Sequence, residues 1–185
     1  NAILSVSMAC TKAAALSKGY PLYEYIAKLF ENPTEVYELP VPMINVLNGG
    51  KHAKGASDIQ EYMLMPIGAS DLQEAVRWGS EIFHHLGMIL EELGYSTTVG
   101  DEGGYAPALG SNEEPLKLMV KAIEKAGLEP GIDVALAIDA AASEFYIDGK
   151  YELQADGKSL DSEQLVNIYA NWAHKYPLIS IEDGF

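Results

Sequence analysis

The sequence predicts an α/β chain in which two helices precede the first part of a β/α barrel, and three observations predict it. Apolar runs of strand length end in acids, as in Val134-Ala-Leu-Ala-Ile-Asp139 and Leu178-Ile-Ser-Ile-Glu182. Stretches of helical period lie between the strand candidates. Residues 134–138 are apolar at consecutive positions, the habit of a strand buried on both faces in a parallel sheet. Acids at the carboxyl ends of strands stand where a β/α barrel carries its chemistry.

The elements follow in order. Residues 2–16 read as a helix of small and apolar side chains with Asn1 as N-cap, ended by Gly19 and Pro21. A second short helix spans 22–30. The prolines Pro33, Pro40 and Pro42 mark a linker, and the domain boundary falls after Glu38. This gives residues 1–38 to the end of an amino-terminal α+β domain and 39–185 to the barrel. Strands are predicted over 43–47 and 59–65. The short link between them contains no helix, so they pair antiparallel. Ser70 with Gln73 suggests a capping box, followed by a long helix whose apolar positions include Leu72, Val76, Phe83, Leu86, Leu90 and Leu93. Trp78 and Met88 read as packing residues, and His84 and His85 as surface or packing residues rather than ligands. Residues 95–99 read as a strand. Ser111 with Glu114 suggests the next capping box. Asp148-Gly149 reads as a hairpin turn. Asp161 with Gln164 starts another helix, and Leu160 with Leu165 forms a hydrophobic staple.

Bulk properties exclude several functions. Hydrophobic residues make up 48% and charged residues 21% of 185, so the chain can bury a core. The formal net charge of −15, with no run of Lys or Arg, argues against a nucleic-acid partner. A single cysteine rules out an internal disulfide and fits a reducing compartment; Cys10 reads as a small core residue. No apolar run reaches membrane-spanning length and no basic leader precedes one. The chain begins without Met and stops just past a strand, so it reads as an internal piece of a longer protein.

The chemistry gathers in acids at strand ends. Val99-Gly-Asp-Glu-Gly-Gly-Tyr-Ala-Pro107 sets Asp101 and Glu102 among glycines, where backbone can turn sharply beside a ligand. Together with Asp139 and Glu182 this forms a rim of carboxylates suited to a hard divalent cation. A solvated acidic turn would explain any one of these stretches alone; their recurrence favours a site.

Several motifs resemble the enolase family. They are Pro42-Met-Ile-Asn-Val-Leu-Asn-Gly-Gly-Lys-His52, Asp58-Ile-Gln-Glu-Tyr-Met-Leu-Met-Pro66, the 99–107 stretch, Ala137-Ile-Asp-Ala-Ala-Ala-Ser-Glu-Phe-Tyr146 and Ser180-Ile-Glu-Asp-Gly-Phe185. They cover essentially the whole chain in the family's order. The resemblance implies reversible, Mg2+-dependent dehydration of 2-phosphoglycerate to phosphoenolpyruvate in glycolysis. It implies that Asp139 and Glu182 ligate magnesium, that Glu182 also contacts substrate, and that Glu102 is the general acid toward the departing hydroxyl. Glu61, with Gln60 beside it, supports that acid and the substrate, and His52 contacts substrate from a closing loop. It also implies a homo-oligomer and, together with the absent leader and the lone cysteine, a cytoplasmic location. Gly184 departs from the family's proline and should loosen the turn after Glu182. The family's lysine base and third metal carboxylate belong to later strands, so the 185 residues are expected not to catalyse dehydration alone. Two rival readings are a related barrel enzyme acting on another carboxylate substrate and a non-catalytic acidic scaffold.

Overall fold

A computed structural model describes residues 1–30, 36–53, 57–100 and 103–185, with His52 described by its backbone only. The chain divides into two compact units, Asn1–Pro40 and Val41–Phe185. No helix among the described residues is long and apolar enough to cross a membrane.

The first unit contains α1 (Ala2–Lys18) and α2 (Leu22–Leu29). Gly19, at φ 71°, ends α1 by turning left-handed, a conformation without penalty for glycine. Its apolar residues are spread around the whole helix, and only Ala15 is buried. Cys10 is exposed, which corrects its reading as a core residue. An Ala-rich helix without one apolar stripe has no face that selects a buried side.

The second unit is built on a four-stranded sheet in the order β1 (Ile44–Asn48), β2 (Glu61–Met65), β3 (Ala135–Asp139) and β7 (Leu178–Glu182). β1 and β2 are antiparallel neighbours, as the short link between them requires. β3 is antiparallel to β2 and parallel to β7. The sheet is open, an arc of a barrel rather than a closed one.

Register divides this sheet into two chemical faces. Leu47, Tyr62, Ile138 and Ile181 align across the four strands, and so do Ile44, Leu64, Leu136 and Leu178. These rows form the apolar face. The alternate rows are Asn48, Glu61, Asp139 and Glu182, then Asn45, Met63, Ala137 and Ser180. Register irregularities at Asn45/Leu47 and Leu136/Ala137 absorb one extra residue in β1 and one in β7. Each such bulge keeps the alternation in phase on both sides of it.

Helices cover the apolar face. α3 (Leu72–Glu92) contributes Trp78, Ile82, Leu86, Ile89 and Leu90 to one core with Tyr62, Leu64, Leu136 and Ile138. Its buried stripe differs from the expected one, since Leu72, Val76, Leu93 and Met88 are exposed. Asp71, not Ser70, caps α3: its carboxylate accepts from Glu74 N at 2.8 Å. Ser70 instead donates its hydroxyl to Glu74. His84 is exposed and His85 half-buried. α4 (Glu114–Lys125) packs on α3, and Ser111 Oγ accepts from Glu114 N at 3.3 Å.

Residues 95–99 do not form a strand. Val99 makes a single bridge to Tyr105, and Tyr105 a single bridge to Leu47, in place of a ladder. The hairpin β4 (Tyr146–Ile147) and β5 (Lys150–Leu153) turns at Asp148 and Gly149, both with positive φ. A third strand, β6 (Lys158–Leu160), continues it and was not expected from the sequence. α5 (Ser162–Lys175) carries the full capping box of Asp161 and Gln164.

Glu113 ties α4 to the end of α5. Its Oε1 accepts from Lys175 Nζ and from the Tyr176 hydroxyl. Lys175 first and Tyr176 second hold the Glu113 carboxyl below its ordinary range. Burial, with that carboxylate, pushes the Tyr176 hydroxyl up to about 12. A depressed carboxyl stabilises the fold above the unfolded-state pKa, and that stabilisation fades as pH falls through the folded value. Glu113→Gln should therefore cost about 1 kcal/mol at neutral pH, as a partly exposed pair allows. The gap between variant and parent melting temperatures should close in acid; a gap constant with pH would refute the assignment.

Candidate active site

The polar face of the sheet ends in a single row. Asn48 pairs with Glu61, Glu61 with Asp139, and Asp139 with Glu182. Paired positions on neighbouring strands point to the same side and lie about 5 Å apart. Because β2 runs opposite to β3, Glu61 at its start comes level with Asp139 at the end of β3. Three acids far apart in the chain thus stand side by side at one rim. Glu61 and Asp139 are half-buried and Glu182 is exposed.

Backbone bonds fix this row. Gln60 N donates to Asp139 O at 3.1 Å, and Gly49 N to Gln60 O at 2.9 Å. Gln60 Nε2 reaches Asp139 Oδ2 at 3.5 Å, a long contact, whereas Ala141 N donates to Asp139 Oδ1 at 2.9 Å. Ala140 N and Ala142 N donate to the carbonyls of Glu182 and Asp183. Ala141 and Asp183 both take positive φ, at 45° and 43°. This costs about 1–2 kcal/mol at Ala141 and less at Asp183, since Asp tolerates that region better, so the strain of the sheet collects just past Asp139. Gly184 has no positive φ, and a Cβ there would lie 3.4 Å from Ile181 and Tyr169, an ordinary contact. The turn after Glu182 therefore does not depend on glycine.

Glu102, the expected general acid, and Asp101 lie outside the described residues. Their flanks do not. Gly100 N and Asn48 Nδ2 both donate to Gly104 O, at 2.8 and 2.7 Å. Gly104 lies so close to β1 that a Cβ would meet Val46 C at 2.8 Å and Leu47 N at 2.9 Å. Asn48, buried in the same row as Glu61, is the rim residue that sequence reading missed. Its only signal was an amide where a strand runs into Gly-Gly. Asn45 Nδ2 in turn donates to Asn48 Oδ1 at 2.7 Å, which sets the orientation of the second amide. His52 closes a 3-10 turn, Gly50–His52, and its side chain is outside the description.

The donor chemistry suits a hard cation. Asp139 and Glu182 supply carboxylate oxygens from adjacent strands, and magnesium is commonly held by one or two carboxylates with water and substrate completing the shell. Among the described residues no group of three or more His, Cys, Asp or Glu side chains is placed to hold a metal, so these two are a partial set. A cleft lined by Gly50, Lys51, Ser57, Asp58, Glu144 and Glu152 takes in none of the three rim acids. The candidate site is the open rim and not that cleft. The family model described as enolase, C-terminal TIM barrel domain, matches residues 36–185.

Proposed function

Because the chain belongs to the enolase family through its C-terminal barrel domain, we propose that it serves the reversible dehydration of 2-phosphoglycerate to phosphoenolpyruvate. The observation that carries this reading is the single row of Glu61, Asp139 and Glu182 across β2, β3 and β7. Loss of a weakly acidic proton beside a carboxylate builds negative charge, and bound Mg2+ offsets it. Asp139 and Glu182 are the residues that would hold that ion. Hydroxide leaves poorly, so an acid must protonate the departing hydroxyl. That role would fall to Glu102, supported by Glu61 with Gln60 next to it in the chain. His52 would contact substrate from the loop after β1. The same reading makes the protein a glycolytic homo-oligomer of the cytoplasm.

The test is the protein expressed from its complete reading frame, mixed with 2-phosphoglycerate and followed by the ultraviolet absorbance of phosphoenolpyruvate. Turnover should stop when metal is chelated and return with Mg2+. Inactivity on 2-phosphoglycerate together with turnover of an acid sugar would move the protein to another member of the superfamily. Inactivity on both, with no effect of Mg2+ on thermal stability, would favour the scaffold.

A further inference from the structure

We propose that Asn112 is a positioning residue for the acid end of the site, gripping the 58–62 segment on both flanks so that Gln60 and Glu61 are fixed against Asp139. The inference rests on the dehydration reading above. Asn112 lies in the loop before α4 and is fully buried. Its side-chain amide pairs with Asp58 twice: Oδ1 accepts from Asp58 N at 2.7 Å, and Nδ2 donates to Asp58 Oδ2 at 2.8 Å. Its backbone carbonyl accepts the Tyr62 hydroxyl at 2.9 Å. Asp58 and Tyr62 bracket Gln60 and Glu61 in sequence, so one residue holds both sides of that pair.

The grip matters because the strand is incomplete there. Residues 58–60 are bent, and β2 begins only at Glu61. The β1 ladder likewise ends at the Asn48–Glu61 pair. Beyond the backbone bonds of Gln60 to Asp139 and Gly49, the Asn112 amide holds Asp58 by its backbone N and by its carboxylate. Tyr62 sets the direction of Glu61. Its ring is fully buried in the core on the apolar face, which turns Glu61 to the polar face. A one-residue slip would exchange them, carrying the carboxylate into the core. The hydroxyl bond to Asn112 opposes that slip, and burial keeps the phenol in its neutral, donating form.

Asn112 is itself immobilised. Nδ2 also donates to Asp156 Oδ2 at 3.0 Å, and its backbone N to Asp156 Oδ1 at 3.3 Å. The Asp58 carboxylate takes Gln154 N and Ala155 N at 3.1 and 3.0 Å. The turn between β5 and β6 therefore braces the same node. A buried amide with donor and acceptor both used has one orientation, and this rigidity is what a positioning residue requires.

The test separates the two halves of the reaction in the protein made from its complete reading frame. Loss of the C2 hydrogen is read by exchange with deuterium from solvent, and loss of the hydroxyl by formation of phosphoenolpyruvate. Asn112→Ala should lower kcat for dehydration about 10- to 100-fold, the scale of a displacement near 1 Å. KM and the C2 exchange rate should stay within about threefold, since Glu61 serves the departing hydroxyl and not the C2 proton. Tyr62→Phe removes one hydroxyl while keeping the ring. It should shift the ratio of exchange to dehydration in the same direction by a smaller factor, and it carries the comparison alone if Asn112→Ala does not fold. Equal loss of exchange and dehydration would mean fewer folded molecules and overturn the inference, as would no change in either. Absence of both activities in the unsubstituted protein would overturn the dehydration reading, and this inference with it.

Discussion

Asp139→Asn is expected to leave the sheet intact and to lower turnover of 2-phosphoglycerate at least about a thousandfold, several kcal/mol of charge stabilisation lost at the site. The amide keeps the shape of the carboxylate. Its oxygen can still accept from Ala141 N, and the backbone bond from Gln60 N to Asp139 O is untouched. What changes is charge. The substitution leaves Glu182 as the one ionised ligand candidate of the pair, with Glu61 as the remaining acid level with it in the row. A second readout needs no catalysis. Ligand present at 100 times its dissociation constant stabilises a fold by about 2.7 kcal/mol, so Mg2+ should raise the melting temperature of the parent protein and scarcely move that of Asp139→Asn. Glu61→Gln should behave differently, losing turnover while keeping the Mg2+ shift. If Asp139→Asn retained both turnover and shift, the ion would not be held at this rim.

The parts of this site legible in the sequence are those fixed by local rules. The capping box of Asp161 and Gln164 closes within one helical turn, so the pattern and the structure coincide. The Asp148-Gly149 turn needs two adjacent residues with positive φ and has them. The bounds Leu178–Glu182 follow from an apolar run between Pro177 and Asp183. Other features depend on partners far along the chain. Nothing local distinguishes Asn112 from any loop amide, because its role comes from Asp58 and Tyr62, more than fifty residues away or nearly so. The alignment of Glu61 with Asp139 needs the antiparallel register of β2 on β3, which a strand end alone does not specify. The reading of residues 95–99 as a strand failed for a related reason. Thr, Val and Tyr favour extended backbone, but Gly100 N already bonds to Gly104 O and Val99 and Tyr105 meet only in single bridges, so no ladder forms. Cys10 and Met88 are exposed because apolar character alone does not fix burial: α1 has no single apolar stripe, and the buried stripe of α3 leaves Met88 outside.

Ile138→Ala should cost about 3 kcal/mol of stability, within the range of 2–5 for deleting a buried aliphatic side chain. The same truncation at Ile181, its register partner on β7, should cost less than about 1 kcal/mol. The two residues are of one type, on one face, at paired positions in the parallel ladder. They differ in burial: Ile138 is 0% exposed within the core under α3 and α4, and Ile181 is 38% exposed beside α5. Side-chain type and sheet face are shared, whereas β3 is an interior strand and β7 the edge strand of the described sheet, so the difference reads burial in the sheet's interior. In melting temperature the Ile138 variant should fall by roughly 6–12 °C, on the scale of 2–4 °C per kcal/mol for a domain of this size. Function should follow the same asymmetry. Ile138 is the residue before Asp139, and collapse into the space it leaves would draw the end of β3 toward the helices. Turnover measured well below the melting temperature should then drop more in Ile138→Ala than in Ile181→Ala. Equal losses of stability at the two positions would show that the apolar face is not packed as described. The row of acids on its opposite side would then lose the support that sets it in line.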